Sequence, residues 1–211
     1  MSVSEDRTVQ PAVQPAAPAS GIADPAPLGL AAFALTTFLL SAANAKWMNA
    51  ATGDAWLGYA LGYGGIIQLL AGMWEFRNRN VFGATAFSTY GGFWIGLFLW
   101  ARFVAPNASS ATAAGHDIAW ILLAFAIFNT YMLLLSAQVN LAVFGVFLTL
   151  ELTEIILFIG NFAGSTGTVQ LGGYIGVVTA LVAWYASFAG VANGIGGRIR
   201  VPVGKAPLAS A

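Results

Sequence analysis

The chain has 211 residues, 58% of them hydrophobic and only 8% charged, with a formal net charge of zero and no cysteine. A soluble domain carries roughly 25% charged residues, so this composition describes an integral membrane protein. Balanced charge without a basic tract excludes nucleic-acid partners and a polybasic grip on anionic lipid. The lack of cysteine excludes disulfides, cysteine-ligated zinc, iron–sulfur clusters and thiol catalysis.

Residues 1–24, rich in Pro, Ala, Val, Gln and Ser, show neither helical nor strand periodicity, which predicts a disordered tail. The apolar run that follows begins too late and is too long for a cleaved signal peptide. Pro25 and Pro27 fix φ at a helix start, where backbone N–H groups are in surplus, and Asp24 can accept from the first free amides. From Pro25 to Ala45 no residue is charged, which is about the ~20 residues needed to cross a hydrocarbon core ~30 Å thick.

Charge-free intervals predict an all-α membrane protein of six helices. The first runs from about Leu28 to Ala45. The second lies between Asp54 and Glu75 and holds Gly58, Gly62, Gly64, Gly65 and Gly72, and the third lies between Arg79 and Arg102. A loop containing His116 leads to a fourth helix near Ile118 to Ala137. Gln138 and Asn140 break it from a fifth near Leu141 to Gly160, and a turn over Asn161 to Thr168 precedes a sixth from about Val169 to Ala192. The expected organisation is a tail over 1–24, a six-helix transmembrane domain over 25–197 and a second tail over 198–211.

Orientation follows from the basic residues. Arg7, Arg77, Arg79, Arg198, Arg200 and Lys205 fall on one side of this topology and Lys46 and Arg102 on the other, which predicts both termini in the cytoplasm. The connections are too short to hold a soluble active-site domain. Glycine pairs at helix-packing spacing (Gly58 and Gly62, Gly160 and Gly164, Gly172 and Gly176, Gly190 and Gly194) predict close helix contacts and permit a homo-oligomer.

Polar groups inside the spans carry the functional information, because lipid burial penalises them unless they pair or face water. They are Thr36, Thr37, Ser41 and Asn44, then Gln68, then Thr85, Ser88, Thr89 and Tyr90, then Asn129, Thr130, Tyr131 and Ser136, and finally Glu151, Thr153 and Glu154. All but the two glutamates are neutral, a lining that suits a small, weakly polar solute better than a metal ion. No metal or cofactor set is read from them. An ionised carboxylate at mid-depth costs about 2.5–3.5 kcal/mol on insertion scales, which favours the neutral acid and makes Glu151 and Glu154 candidate proton carriers. The sequence lacks paired intramembrane aspartates, an H-E-x-x-H motif and an intramembrane Ser with a His partner, so an enzyme is not expected.

Several stretches together resemble the acetate uptake transporter family, the succinate-acetate permeases of bacteria and their fungal acetate and ammonia transporter relatives. They are Pro25-Ala26-Pro27-Leu28-Gly29-Leu30 with Phe33, Thr36 and Thr37; Gly64-Gly65-Ile66, Gln68, Ala71-Gly72 and Glu75; Phe82-Gly83, Thr85-Ala86-Phe87, Tyr90-Gly91 and Phe93-Trp94; and Gly160-Asn161, Ala163-Gly164 and Gly173-Tyr174-Ile175-Gly176. The resemblance implies a six-helix protomer with its own pore, assembled as a homohexamer in the plasma (inner) membrane. It implies a cargo of acetate and related short monocarboxylates, in some members succinate.

It also implies a pore constriction at Phe33, Tyr90 and Leu150 and a substrate-size position at Ala183. Thr36, Thr37, Asn44 and Gln68 are expected to contact the substrate on either side. Two departures stand out: Asp24 where the family usually has Asn, and the acidic pair Glu151 and Glu154. Glu154 lies one helical turn past Leu150, on the same face, which predicts proton-linked flux. The rival reading is a channel for ammonium or another small neutral solute.

Overall fold

The computed structural model describes residues 21–48 and 54–208. Of the tail expected over residues 1–24, residues 1–20 lie outside them. Among the described residues the chain forms six helical rods. These are α1 (Ala26–Asn44), α2 (an α-helical turn Trp56–Tyr59, a π-helical stretch Ala60–Ile67 and an α-helix Gln68–Arg77), α3 (Val81–Leu99, continued by π-helical Trp100–Val104), α4 (Ala111–Ser136), α5 (Leu141–Phe162) and α6 (Thr166–Gly194).

Local chemistry fixes the ends. Asn80, Ser110, Asn140 and Ser165 each accept a hydrogen bond from the backbone N–H three residues on, at 2.9–3.3 Å, so α3 to α6 all begin with a side-chain cap. Asp24 performs the related task at α1, taking the Ala26 N–H at 3.0 Å. Three helices stop in the same way, with Lys46, Arg79 and Gly164 in the left-handed region at φ +63°, +62° and +60°. The next amides turn back onto the last turn, as Trp47 N–H to Ala42 O, Asn80 N–H to Glu75 O and Ser165 N–H to Gly160 O.

α4 starts at Ala111, more than a turn before the expected Ile118, because Ser110 and not the polar pair His116-Asp117 caps it. His116 is therefore a helical residue with its ring 5.9 Å from that of Phe162, rather than a loop residue.

Four rods, α1, α4, α5 and α6, are long and apolar enough to cross a membrane. In α2 and α3, π-helical stretches interrupt the α-helical hydrogen-bond pattern. Polarity is inverted relative to a water-soluble protein. Leu134, Ile127, Trp120 and Phe188 are 56–65% exposed, while Asn129, Ser136, Thr179 and Gln68 are at most 1% exposed. An apolar outside and a polar inside are what lipid selects, and the chain is a multi-pass membrane protein.

The rods close into a ring. α1 packs along α6, α6 on α5, α5 on α4, α2 on α3, and α1 also on α2. Between α3 and α4 the backbones stay apart because aromatic rings fill the seam, with Phe93–Phe125 centroids at 4.6 Å and Tyr90–Phe128 at 5.6 Å. Glycine allows the tightest approaches: a Cβ on Gly173 would lie 2.8 Å from Ser41 O on α1, and one on Gly172 would lie 2.6 Å from the Leu157 side chain on α5. The expected pairs hold only in part. Gly160, Gly172, Gly176 and Gly190 meet neighbouring elements, Gly58, Gly62 and Gly194 meet nothing within 4 Å, and Gly164 serves the turn.

The segment after α6 does not hang free. Val203 O accepts the Ala142 N–H and Leu208 N–H donates to Ala137 O, both at 2.9 Å, while the Asn193 amide brackets the backbone of Val201.

Candidate functional site

Four cavities follow one another along the inside of the ring. At one end a chamber of about 270 Å³ is walled by Asp24, Pro27, Asn78, Asn140, Asn193 and Val203 among others. It meets at Leu30 a small cavity of about 20 Å³ that includes Gln68, Phe87 and Phe147. Beyond lies a cavity of about 40 Å³ bounded by Thr37, Ser41, Asn44, Trp94 and Glu154. Leu40, Asn44, Phe93, Leu122 and Leu157 then lead into an outer chamber of about 320 Å³ beside Asp54 and Asn161.

Phe33, Tyr90 and Leu150 line both inner cavities and are the three residues the two have in common. They come from α1, α3 and α5, alternate rods of the ring, and are 3–6% exposed. The Phe33 and Tyr90 rings meet edge-on with centroids 5.8 Å apart. One water needs about 10–15 Å³, so each inner cavity holds at most a few, and these three side chains stand between them as a waist.

A hydrogen-bond network is anchored at this waist. The Asn129 amide is oriented without ambiguity, because its Nδ2 lies 3.0 Å from the main-chain carbonyl of Phe147, which can only accept, and 2.7 Å from Glu151 Oε2. Its Oδ1 therefore faces the Tyr90 hydroxyl at 3.0 Å. The same hydroxyl lies 3.2 Å from Glu154 Oε1. A phenol has one hydrogen to give. When Tyr90 gives it to Asn129, Glu154 must be the donor to Tyr90 and so carries a proton. When Glu154 is ionised, the Tyr90 hydrogen can turn to it, and Asn129 Oδ1 loses its donor. These two arrangements differ by one proton on Glu154.

The two glutamates separate by role. Glu151 is held at the edge of the bundle by Asn129 and by the Thr130 hydroxyl at 2.8 Å, and it lines neither inner cavity. Glu154 is 3% exposed and lines the 40 Å³ cavity, and its Oε2 has no hydrogen-bond partner among the described residues. Two donors bordering that cavity are also unmatched among the described residues, the Thr37 hydroxyl and the Trp94 indole N–H. Across the waist, Gln68 Oε1 is likewise unmatched.

Not every expected contact residue reaches the cavities. The Thr36 hydroxyl returns to Ala32 O at 3.0 Å and leans toward Tyr59 O at 3.4 Å, while its side chain packs against Gly64. It belongs to the α1–α2 contact. Ala183 is fully buried in the core and lines none of the four cavities described. Asn44 lines two of them. Of Pro25 to Leu30, Ala26, Pro27 and Leu30 line the first chamber; the Ser187 hydroxyl donates to Pro27 O at 2.7 Å, and Gly29 lies against the Phe87 ring.

Asn129, counted among the polar groups of the spans, and Trp94, part of a family-like stretch, take their places beside Tyr90 and Glu154 only in the structure. The signal for Asn129 is an uncharged amide deep in an apolar run, and for Trp94 its position four residues after Tyr90, on the same helix face.

A family model described as GPR1/FUN34/yaaH matches residues 6–207. The chain belongs to the GPR1/FUN34/yaaH family. Among curated members of the GPR1/FUN34/yaaH family, Acetate permease A of Emericella nidulans is 37% identical, covering 94% of this chain and 71% of that protein. Ammonia transport outward protein 2 of Saccharomyces cerevisiae is 36% identical over 88% of this chain and 67% of its own length. The succinate-acetate/proton symporter SatP of Escherichia coli is 32% identical over 87% and 96% respectively. A solved structure of the bacterial acetate channel SatP matches with a TM-score of 0.79 at 30% identity, covering 87% of this chain and 99% of that one. Its fold is therefore shared almost from end to end.

Proposed function

We propose that this protein carries acetate and closely related short monocarboxylates, with succinate as a further candidate, across the plasma membrane, and that a proton travels with the cargo. The six rods act as six spans around a path in each protomer, with Phe33, Tyr90 and Leu150 as its constriction. The observation that carries this reading is that these three residues form the common wall of two cavities inside the ring. The printed activities of the acetate and succinate-acetate relatives support the choice of cargo.

The physics is direct. Acetate has a pKa close to that of a Glu side chain, so at neutral pH it is almost wholly anionic. Driving a bare carboxylate between Phe33, Tyr90 and Leu150 strips its hydration with no cation to replace it. If Glu154 hands its proton to the carboxylate, one O–H bond breaks and another forms, the cargo crosses as a neutral acid, and Tyr90 turns its hydrogen to the new Glu154 charge. Glu154 regains a proton from the side of the wider chamber. Glu151, tied to Asn129, belongs to the same network.

Orientation and assembly complete the proposal. The chamber bordered by Asn78, Asn80 and Asn193 lies at the end that carries Arg77, Arg79, Arg198 and Arg200, which supports a cytoplasmic location for both termini. Gly58 and Gly62 on α2 and Gly92 and Gly96 on α3 leave open space outside the ring, which supports close packing of copies as the homohexamer expected of the family.

A second reading, ammonium movement, is favoured by the similarity to Ammonia transport outward protein 2. Labelled acetate and methylammonium fluxes in the same proteoliposomes, corrected for protein-free vesicles, separate the two. Acetate flux that rises as outer pH falls is the expected result. Methylammonium flux without acetate flux overturns the proposal.

A further inference from the structure

We infer that Asn129 is a positioning residue: by presenting a fixed acceptor to the Tyr90 hydroxyl, it sets the pH at which Glu154 releases its proton. The inference deepens the transport reading above and rests on it only for the use made of that proton.

Asn129 stands between Phe128 and Thr130 deep in α4 and is fully buried. An amide is costly there unless its hydrogens and its oxygen are served. Both Nδ2 hydrogens go to α5, to Phe147 O at 3.0 Å and Glu151 Oε2 at 2.7 Å, two groups one helical turn apart. An amide gripped at two points cannot swing round, so Oδ1 stays aimed at α3, 3.0 Å from the Tyr90 hydroxyl. Asn129 lines neither inner cavity and has no hydrogen bond to Glu154 among the described residues. Its hold on Glu154 runs through Tyr90.

The direction follows from the donors. With Glu154 as the acid, its hydrogen goes to the Tyr90 oxygen and the Tyr90 hydrogen goes to Asn129 Oδ1, so neither the phenol nor the amide is left unmatched. With Glu154 ionised, the Tyr90 hydrogen turns to the carboxylate and Asn129 Oδ1 is stranded, which penalises a buried acceptor. Asn129 therefore favours the acid, and the Tyr90 hydrogen favours the ion. The other titratable group acting on Glu154 is Glu151 of α5, with Tyr131 of α4 near Tyr90. α1 brings the uncharged Thr37, Ser41 and Asn44 to the cavity, α6 meets Thr153 through the uncharged Thr179, and no Lys or Arg lines the cavity. Because Asn129 also donates to Glu151, its removal acts along two routes, and only the route through Tyr90 depends on the phenol.

The test reads the carboxyl directly. Infrared spectra of the full-length protein in lipid, without acetate, are titrated with pH, and the carbonyl band of the protonated acid that Glu154→Gln removes reports on Glu154. Asn129→Leu is expected to move the midpoint of that band about one unit to lower pH and Tyr90→Phe about one unit to higher pH, the tenfold change in proton affinity that one buried hydrogen bond supplies. Loss of packing alone gives no such opposition of sign. In a Tyr90→Phe background, Asn129→Leu is expected to add less than about a third of a unit, since the two act in series. The pH midpoints of acetate uptake in proteoliposomes are expected to keep the same order.

An Asn129→Leu midpoint within about a third of a unit of the parent's, a shift to higher pH, or an equal shift with and without the phenol would overturn the assignment, as would a Glu154 band that does not titrate. Band midpoints in the expected order, in a parent without acetate flux, would sink the transport reading and leave the role of Asn129 standing. If Asn129→Leu does not fold, Asn129→Ala takes its place with the same expectations, and a Tyr90→Phe shift to lower pH overturns the assignment on its own.

Discussion

Tyr90 on α3 and Glu154 on α5 face each other across the waist with 3.2 Å between the phenol oxygen and the carboxyl. With the 3.0 Å contact from the same phenol to Asn129, this places one hydroxyl between two partners on the wall common to the two inner cavities. Position and proton count are joined at one side chain.

Removing that hydroxyl should be felt in the fold. Tyr90→Phe keeps the ring contacts with Phe33, Phe93 and Phe128 but leaves Asn129 Oδ1 without a donor. The expected loss is about 1–3 kcal/mol, measured as a lower unfolding midpoint in detergent. A midpoint equal to the parent's would show that the network is not structural.

Glu154→Gln should flatten the pH response. If the acid form must deliver a proton, uptake by the parent rises as outer pH falls from 8 to 5, at fixed acetate anion concentration and fixed membrane potential. Gln has a similar shape and can donate to Tyr90 but cannot release a proton, so the rise should disappear. Glu151→Gln, at a residue that lines neither inner cavity, should keep most of it. Parallel pH profiles for the parent and Glu154→Gln would count against proton coupling at this position.

Leu150→Ala should widen the waist. Leu150 is 6% exposed and shared by both inner cavities. Truncation should cost about 2–5 kcal/mol and raise the flux of propionate and lactate relative to acetate. The ratio of initial uptake rates checks it, and an unchanged ratio would place selectivity elsewhere.

Gly173→Ala tests the closest helix contact. The new methyl would lie 2.8 Å from Ser41 O and against the Ala45 amide, both backbone atoms that cannot rotate away. α1 and α6 must separate, so the unfolding midpoint should fall by the amount typical of overpacking, about 1–3 kcal/mol. Gly194→Ala, with nothing within 4 Å, is the control and should be near neutral.

Much of the fold was legible because lipid imposes a blunt rule: charges mark the ends of spans. Asp54 precedes α2, Arg79 lies between α2 and α3, and Glu75 and Arg102 fall in the last turns of those rods, while Asn140 both breaks the long apolar interval and caps α5. The start of α4 was misplaced because His116 and Asp117 look like a boundary by polarity, while the hydrogen-bonding cap is Ser110. The π-helical stretch in α2 left no signal that apolar patterning detects, since Ala60 to Ile67 reads as an ordinary glycine-rich helix.

At the site, Phe33, Tyr90 and Leu150 line both inner cavities. Polarity alone did not separate Thr37, which borders a cavity, from Thr36, which bonds its own helix, because neighbours on a helix point about 100° apart. The partnership of Asn129 with Tyr90 spans 39 residues and had no local trace.

The stitching of residues 201–208 to the α4–α5 turn has a practical side. Val203 walls the same chamber as Asp24 and Pro27, so cargo fused just beyond Leu208 would tug on a doorway rather than dangle from a loose end. A reporter tag at that point should disturb passage more than one placed ahead of Gly21.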